Sequence, residues 1–128
     1  MLLFYGKIMR SIYPAISIVA PSGSYIAEGI KTLEIRSWRP NELPLKDLVI
    51  VENAHDLNQD GDEELGRAVA WVDISSVHAW QKSEIEQAKA NYWEDGYWAW
   101  VIENVRPIHP PVNIPARRKI YWVELDVV

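Results

Sequence analysis

The chain has 128 residues and a formal net charge of -5, a length that suits one compact domain. It contains no cysteine, so structural disulfides, thiolate nucleophiles and cysteine-ligated zinc are excluded together. Apolar residues make up 48% and charged ones 24%, the balance of a chain with a real core and not that of a disordered one.

In chain order, Met1 to Tyr13 is apolar at Leu2, Leu3, Phe4 and Tyr5 but broken by Lys7 and Arg10. It is too short for a membrane span and lacks the order of a signal peptide, so residues 1–14 read as an N-terminal extension packed on a domain of residues 15–128. No other stretch approaches the ~18 apolar residues a membrane helix needs. No membrane partner is expected, and a cytoplasmic location fits. Ala15 to Ala20 is short and β-branched and stops at Pro21, as a buried strand would. Pro21-Ser22-Gly23-Ser24 then opens a helix of about two turns, Tyr25-Ile26-Ala27-Glu28, which Gly29 closes. Lys31 to Trp38 alternates, with Leu33 and Ile35 on one face and Thr32, Glu34, Arg36 and Trp38 on the other. This is a strand with a polar, chemically rich face.

Asp47 to Asn53 and Arg67 to Ile74 read as further strands separated by a polar loop. Ser83, with Glu86 three residues on, has the pattern of a capping box opening a helix through Ile85, Ala88, Lys89 and Tyr92, closed by Asp95-Gly96. Tyr97 to Val105 and Lys119 to Val127 complete the strands, joined by a proline-rich connection from Pro107 to Pro115. About five or six strands with two or three short helices and no regular βαβ rhythm imply an α+β chain built on a small, mostly antiparallel β-barrel.

Charge is unevenly spread. Residues 1–46 sum to +3, 47–103 to -10 and 104–128 to +2. A fold that joins the two ends would place a basic patch on an acidic protein, whereas long-range capture of duplex DNA is not expected.

The most informative segment is Gly29-Ile30-Lys31-Thr32-Leu33-Glu34-Ile35-Arg36-Ser37-Trp38. It resembles the Gly-x-Lys-x-x-Glu-x-Arg signature of the ASCH domain, a branch of the PUA-like superfold. Other segments match that family's strands in the same order: Ile16-Ser17-Ile18 with Pro21, Leu48 to Val51, Gly66 to Val72, Gly96 to Ile102 and Ile120 to Leu125. The resemblance covers about residues 15–127. It implies a PUA-like barrel whose cleft recognises RNA, a nucleotide or a modified nucleoside. On it, Pro21, Ser22 and Tyr25 at the first helix, Lys31, Glu34, Arg36 and Trp38 on the motif strand, and Trp98, Arg117 and Arg118 become candidate binding residues.

The residue types suit that task. Lys31 is a mobile point charge for phosphate, Arg36 a planar fork for phosphate or a base edge, and Glu34 an acceptor for a base amino group. A Glu34–Arg36 ion pair on a sheet face is the bland alternative, worth only about 0–1 kcal/mol if exposed. Of the seven tryptophans, most are expected in the core. Trp38 shares the polar face and is the one expected to stack on a base. Trp98 and Trp100 share a strand face and are read first as core, with Trp98 kept for the cleft. Arg117-Arg118-Lys119 is a second place for phosphate, or a solvated strand entrance.

Asp56 to Gly61 matches the first half of a calcium loop, but Arg67 stands where the bidentate glutamate belongs, so the stretch reads as a flexible acidic loop. His55, His78 and His109 lack ligand spacing, no serine lies in a nucleophile elbow and no glycine-rich phosphate loop follows a strand. No metal or cofactor is expected. Whether the chain is an enzyme stays open. Some small bacterial ASCH proteins deacetylate acetylcytidine with a lysine and a threonine of this motif, but here Glu34 holds the threonine's place and Thr32 comes two residues early. That route is disfavoured. An RNA hydrolase with Lys31 and Glu34 as acid and base is the stronger enzymatic alternative. A protein-interaction domain using the acidic middle is the third reading. The oligomeric state is left open.

Overall fold

The computed structural model describes residues 2–5 and 8–127, with side chains from 11 to 126. Among these residues seven strands join in one sheet, with two short helices: β1 Leu2–Tyr5, β2 Ile8–Val19, α1 Ser22–Ala27, β3 Leu33–Arg36, β4 Leu45–Asn53, β5 Glu63–Ala79, α2 Ile85–Ala88, β6 Trp98–Arg117 and β7 Ile120–Val127. A 3₁₀ turn, Lys82–Glu84, precedes α2. No helix among the described residues is long and apolar enough to cross a membrane.

The sheet path is β1-β2-β4-β5-β6-β3, with β7 on β2 off that path. The β2–β4 ladder is parallel, and β1–β2, β2–β7, β3–β6, β4–β5 and β5–β6 are antiparallel. No ladder among the described residues joins β3 back to β2, so the barrel expected from sequence is here a curled, open sheet. The core has a main cluster around Trp100, Ile16, Ile50, Val72 and Ile74, a second around Val49, Val51 and Val123, and a third under Leu33, Trp80 and Ala99.

Two expectations about elements need correcting. The Pro107–Pro115 connection lies inside β6, which pairs with β5 as far as Arg117. Pro110 and Pro111 fall in the 108–111 stretch, which the β5 ladder skips between Pro107 and Val112, and past Val101 β3 no longer pairs with β6 among the described residues, so missing N–H groups cost few ladder bonds. The helix expected from Ser83 to Tyr92 is also much shorter. Gln81 and Glu84 form the capping box, and the chain turns out at Lys89 with φ 53°. Glu84 also accepts from His78 Nε2 at 2.9 Å, which fixes that carboxylate in the first turn and moves the start upstream of Ser83. At α1, Gly29 takes φ 77° just past the helix end, as its sequence position requires.

β2 runs unbroken through residue 14, pairing with β1 and β7 in its first half and β4 in its second. How the side chains of residues 1–10 pack lies outside the described residues.

Candidate nucleotide-binding hollow

The parallel β2–β4 pairing sets Val19 beside Asn53, so both strands end on the same side of the sheet. The segments that follow, α1 and residues 54–58, therefore flank one spot. β7 pairs with β2 only up to Ile16, so among the described residues Ser17 to Val19 have no strand on that side. β3, at the other end of the sheet path, comes round to face this free edge. The Arg36 guanidinium spans the gap, its Nη2 donating to the Ser17 carbonyl at 2.9 Å. The unclosed seam holds a hollow of about 380 Å³, within the range of small-molecule sites. Ser17 to Val19, Ser22, Glu34 to Arg36, Trp38, Asn53, His55 to Asn58 and Arg117 to Lys119 line it.

Within the motif a chain of charges runs across the seam. Lys31 is only 5% exposed and donates to the Ala88 carbonyl at 2.5 Å, while Thr32 N–H donates to Gln87 O at 2.9 Å. These two bonds satisfy carbonyls at the C-terminal end of α2, where a cation is electrostatically favoured. Lys31 Nζ also lies 3.5 Å from Glu34 Oε1, and Arg36 Nε donates to Glu34 Oε2 at 2.8 Å. The Gly-x-Lys-x-x-Glu-x-Arg segment thus fastens α2 to β3 and β3 to β2. Lys31 lines a neighbouring hollow of about 310 Å³ with Trp80, Tyr92 and Tyr97; Glu34 and Ile35 border both spaces.

The other sequence candidates separate clearly. Trp38 lines the seam hollow, edge-on to Trp100 at 4.9 Å, and its carbonyl accepts from Trp100 Nε1 at 3.2 Å. Trp100 is fully buried. Trp98 packs on the main core with the Arg39 guanidinium 4.6 Å from its ring centroid, and it does not line the hollow. Ser22 lines the hollow, but exposed Pro21 and half-buried Tyr25 do not. Tyr25 serves the local backbone, its carbonyl accepting from Ile30 and Lys31. Arg117 and Arg118 line the rim, paired with Glu63 at 2.9 Å and Asp60 at 2.7 Å.

Sequence reading overlooked Ser17, Asn53 and His55. Ser17 Oγ accepts from Arg117 N–H at 3.0 Å and lies 3.1 Å from Tyr121 Oη, which donates to the Pro115 carbonyl at 2.9 Å. The direction of that relay is fixed: Tyr121 has spent its proton, so Ser17 donates to it and keeps only acceptor capacity for the hollow. Burial pushes the Tyr121 hydroxyl up from its ordinary value, against the opposing hydrogen bond from Ser17, and keeps it protonated.

Two carboxylates just after the Asp56–Gly61 stretch, Asp62 and Glu64, bond back to the backbone of residues 54–59. Glu64 Oε1 accepts from Asn53 Nδ2, Ala54 N–H and His55 N–H at 2.7–2.8 Å, and Oε2 meets His55 Nδ1 at 2.9 Å. The His55 ring bond first, then its backbone N–H, hold the Glu64 carboxyl down at about 2. Asp62 likewise accepts from Asn58 and Gln59 N–H at 3.1 and 3.0 Å. Glu64 and Asp62 therefore shape the 53–64 segment, while Asp60 faces outward to Arg118. No group of three or more His, Asp or Glu side chains among the described residues is arranged to hold a metal. Asn53 has both amide protons engaged and leaves Oδ1 buried without a partner.

Comparison with family models adds an independent result: the ASCH domain model matches residues 16–112. The chain belongs to the ASCH domain family, whose PUA-like members are generally RNA-binding. No curated protein matches it.

Proposed function

We propose that the seam hollow binds a nucleobase with its attached phosphate, as presented by single-stranded RNA or a nucleotide. One observation carries this reading. A half-buried indole, a fixed carboxylate–guanidinium pair and three consecutive basic residues line a single cavity although they come from opposite ends of the chain. Each has a natural partner on a nucleotide. Trp38 offers a face for stacking, and Glu34 an acceptor for a base amino group. Arg36 keeps guanidinium donors beyond those used on Glu34 and Ser17. Arg117 and Arg118 can exchange exposed carboxylates for phosphate at small cost, since such surface pairs are worth only about 0–1 kcal/mol. Lys31 supports the site from behind by positioning Glu34.

The test is binding of a labelled, short single-stranded oligoribonucleotide by fluorescence anisotropy, in wild type and Trp38→Leu. Leucine keeps apolar packing against Trp100 and removes the stacking face. The expected loss is about 1–3 kcal/mol, roughly five-fold to 150-fold in affinity. Unchanged affinity in a folded Trp38→Leu chain excludes Trp38 as the base platform.

A further inference from the structure

Lys119 stands apart from the other cations of the hollow. Arg36 is engaged with Glu34 and Ser17, Arg117 with Glu63 and Arg118 with Asp60, whereas Lys119 has no carboxylate partner among the described residues. It sits in the left-handed region at φ 56°, in the two-residue turn between β6 and β7. That backbone conformation is uncommon for a residue with a side chain. Its ammonium lies over the Trp38 ring, 5.6 Å from the centroid. Both residues line the hollow.

We propose that Lys119 makes the site selective for phosphorylated nucleotides over free nucleosides, through competition for the face of Trp38. This rests on the hollow being the nucleotide site. A base stacking on that face must displace the ammonium and forfeit a cation–π contact that at an exposed position is worth roughly two- to five-fold in affinity. A nucleoside gives the displaced ammonium nothing in return. A nucleotide brings a phosphate into the same hollow, and the flexible lysine stem lets the charge move from the ring to the phosphate. A charge-assisted contact of that kind is worth about ten-fold or more. Lys119 therefore opposes one ligand class and favours the other. Arg117 and Arg118 cannot do both, because neither covers the stacking surface and each must first leave a carboxylate.

Calorimetric titration of the full chain with ribonucleosides and their 5′-monophosphates, in wild type and Lys119→Gln, reads this directly. Wild type is expected to prefer monophosphates. In Lys119→Gln, the preference for monophosphate over nucleoside falls about ten-fold: nucleoside affinity rises about two- to five-fold as the cation–π competition is removed, and monophosphate affinity drops by the remaining two- to five-fold, roughly. These opposite signs separate the proposal from simple damage to the site, which lowers both, and a thermal melt of the variant checks its fold. Anisotropy with the oligoribonucleotide tells the two possible failures apart. If wild type binds the oligonucleotide but shows no phosphate preference, or the preference survives Lys119→Gln, this inference is overturned and the hollow remains an RNA site. If wild type binds neither oligonucleotide nor mononucleotide, both readings fall.

Discussion

Removing Glu34 and removing Lys31 are unequal cuts through the same buried pair. Glu34→Ala leaves the Lys31 ammonium, 5% exposed, with only the Ala88 carbonyl and also takes the Nε partner from Arg36. Stranding a buried charge this way typically costs about 3–5 kcal/mol. Lys31→Met keeps an apolar stem of similar length and leaves Glu34 bonded to Arg36 at 2.8 Å, so the main loss is the donor to Ala88. About 1–3 kcal/mol is expected there. Urea denaturation of both variants provides the check, and an equal or larger loss in Lys31→Met means that Glu34 is not the centre of the cluster. The identities of these residues were plain in the sequence, but their division of labour was not. A buried lysine serving a helix end cannot be told from a cleft lysine until the short α2 is seen to stop at Lys89, beside it.

At the scale of elements, the 53–64 segment shapes one wall of the hollow, and a single carboxylate ties it to the start of β5. The Glu64 carboxyl lies at about 2 in the fold against an ordinary 4.5. Between those values the unfolded chain binds more protons than the folded one, so stability falls with falling pH. The contribution of the tie is complete above about pH 4.5 and is lost as pH drops through about 2. Asp73 adds a similar dependence. Burial pushes its carboxyl up, but bonds from Asn104, the Asp47 N–H and Arg106 together outweigh that and bring it from 3.8 to about 2. Isolating the Glu64 share needs Glu64→Gln. The urea midpoint of wild type is expected to exceed that of the variant at pH 7, with the gap closing as pH is lowered from 4.5 towards 2; a gap independent of pH in that range removes Glu64 as the tie. The elements themselves were largely legible, because β-branched alternation and the Pro21 and Gly29 signals are local. What escaped was non-local. Nothing in the sequence marks β2 and β4 as parallel neighbours, and that pairing is what carries Asn53 and His55 to the hollow. Pro107 to Pro115 misled for the complementary reason: proline argues against a paired strand, not against a strand with one free edge.

For the molecule as a whole, the net charge of -5 and a basic hollow coexist because the sheet curls until the basic ends of the chain meet at its seam. The meeting is incomplete as a source of field, since the acidic middle follows it there: Asp60 and Glu63 hold Arg118 and Arg117 at the rim. Electrostatic attraction is thus confined to short range, and the number of phosphates neutralised on binding should be small. For one or two phosphate contacts on a single strand, log affinity is expected to fall with log salt at a slope of about -0.7 to -1.4. Anisotropy titrations of the oligoribonucleotide across about 50–300 mM salt measure it. Neutralising the rim carboxylates in Asp60→Asn with Glu63→Gln releases two arginines and should steepen the slope by about 0.7 for each one that reaches a phosphate. A wild-type slope beyond about -3 would mean that phosphates are gripped along an extended surface, and the seam hollow would then be only one part of the RNA path.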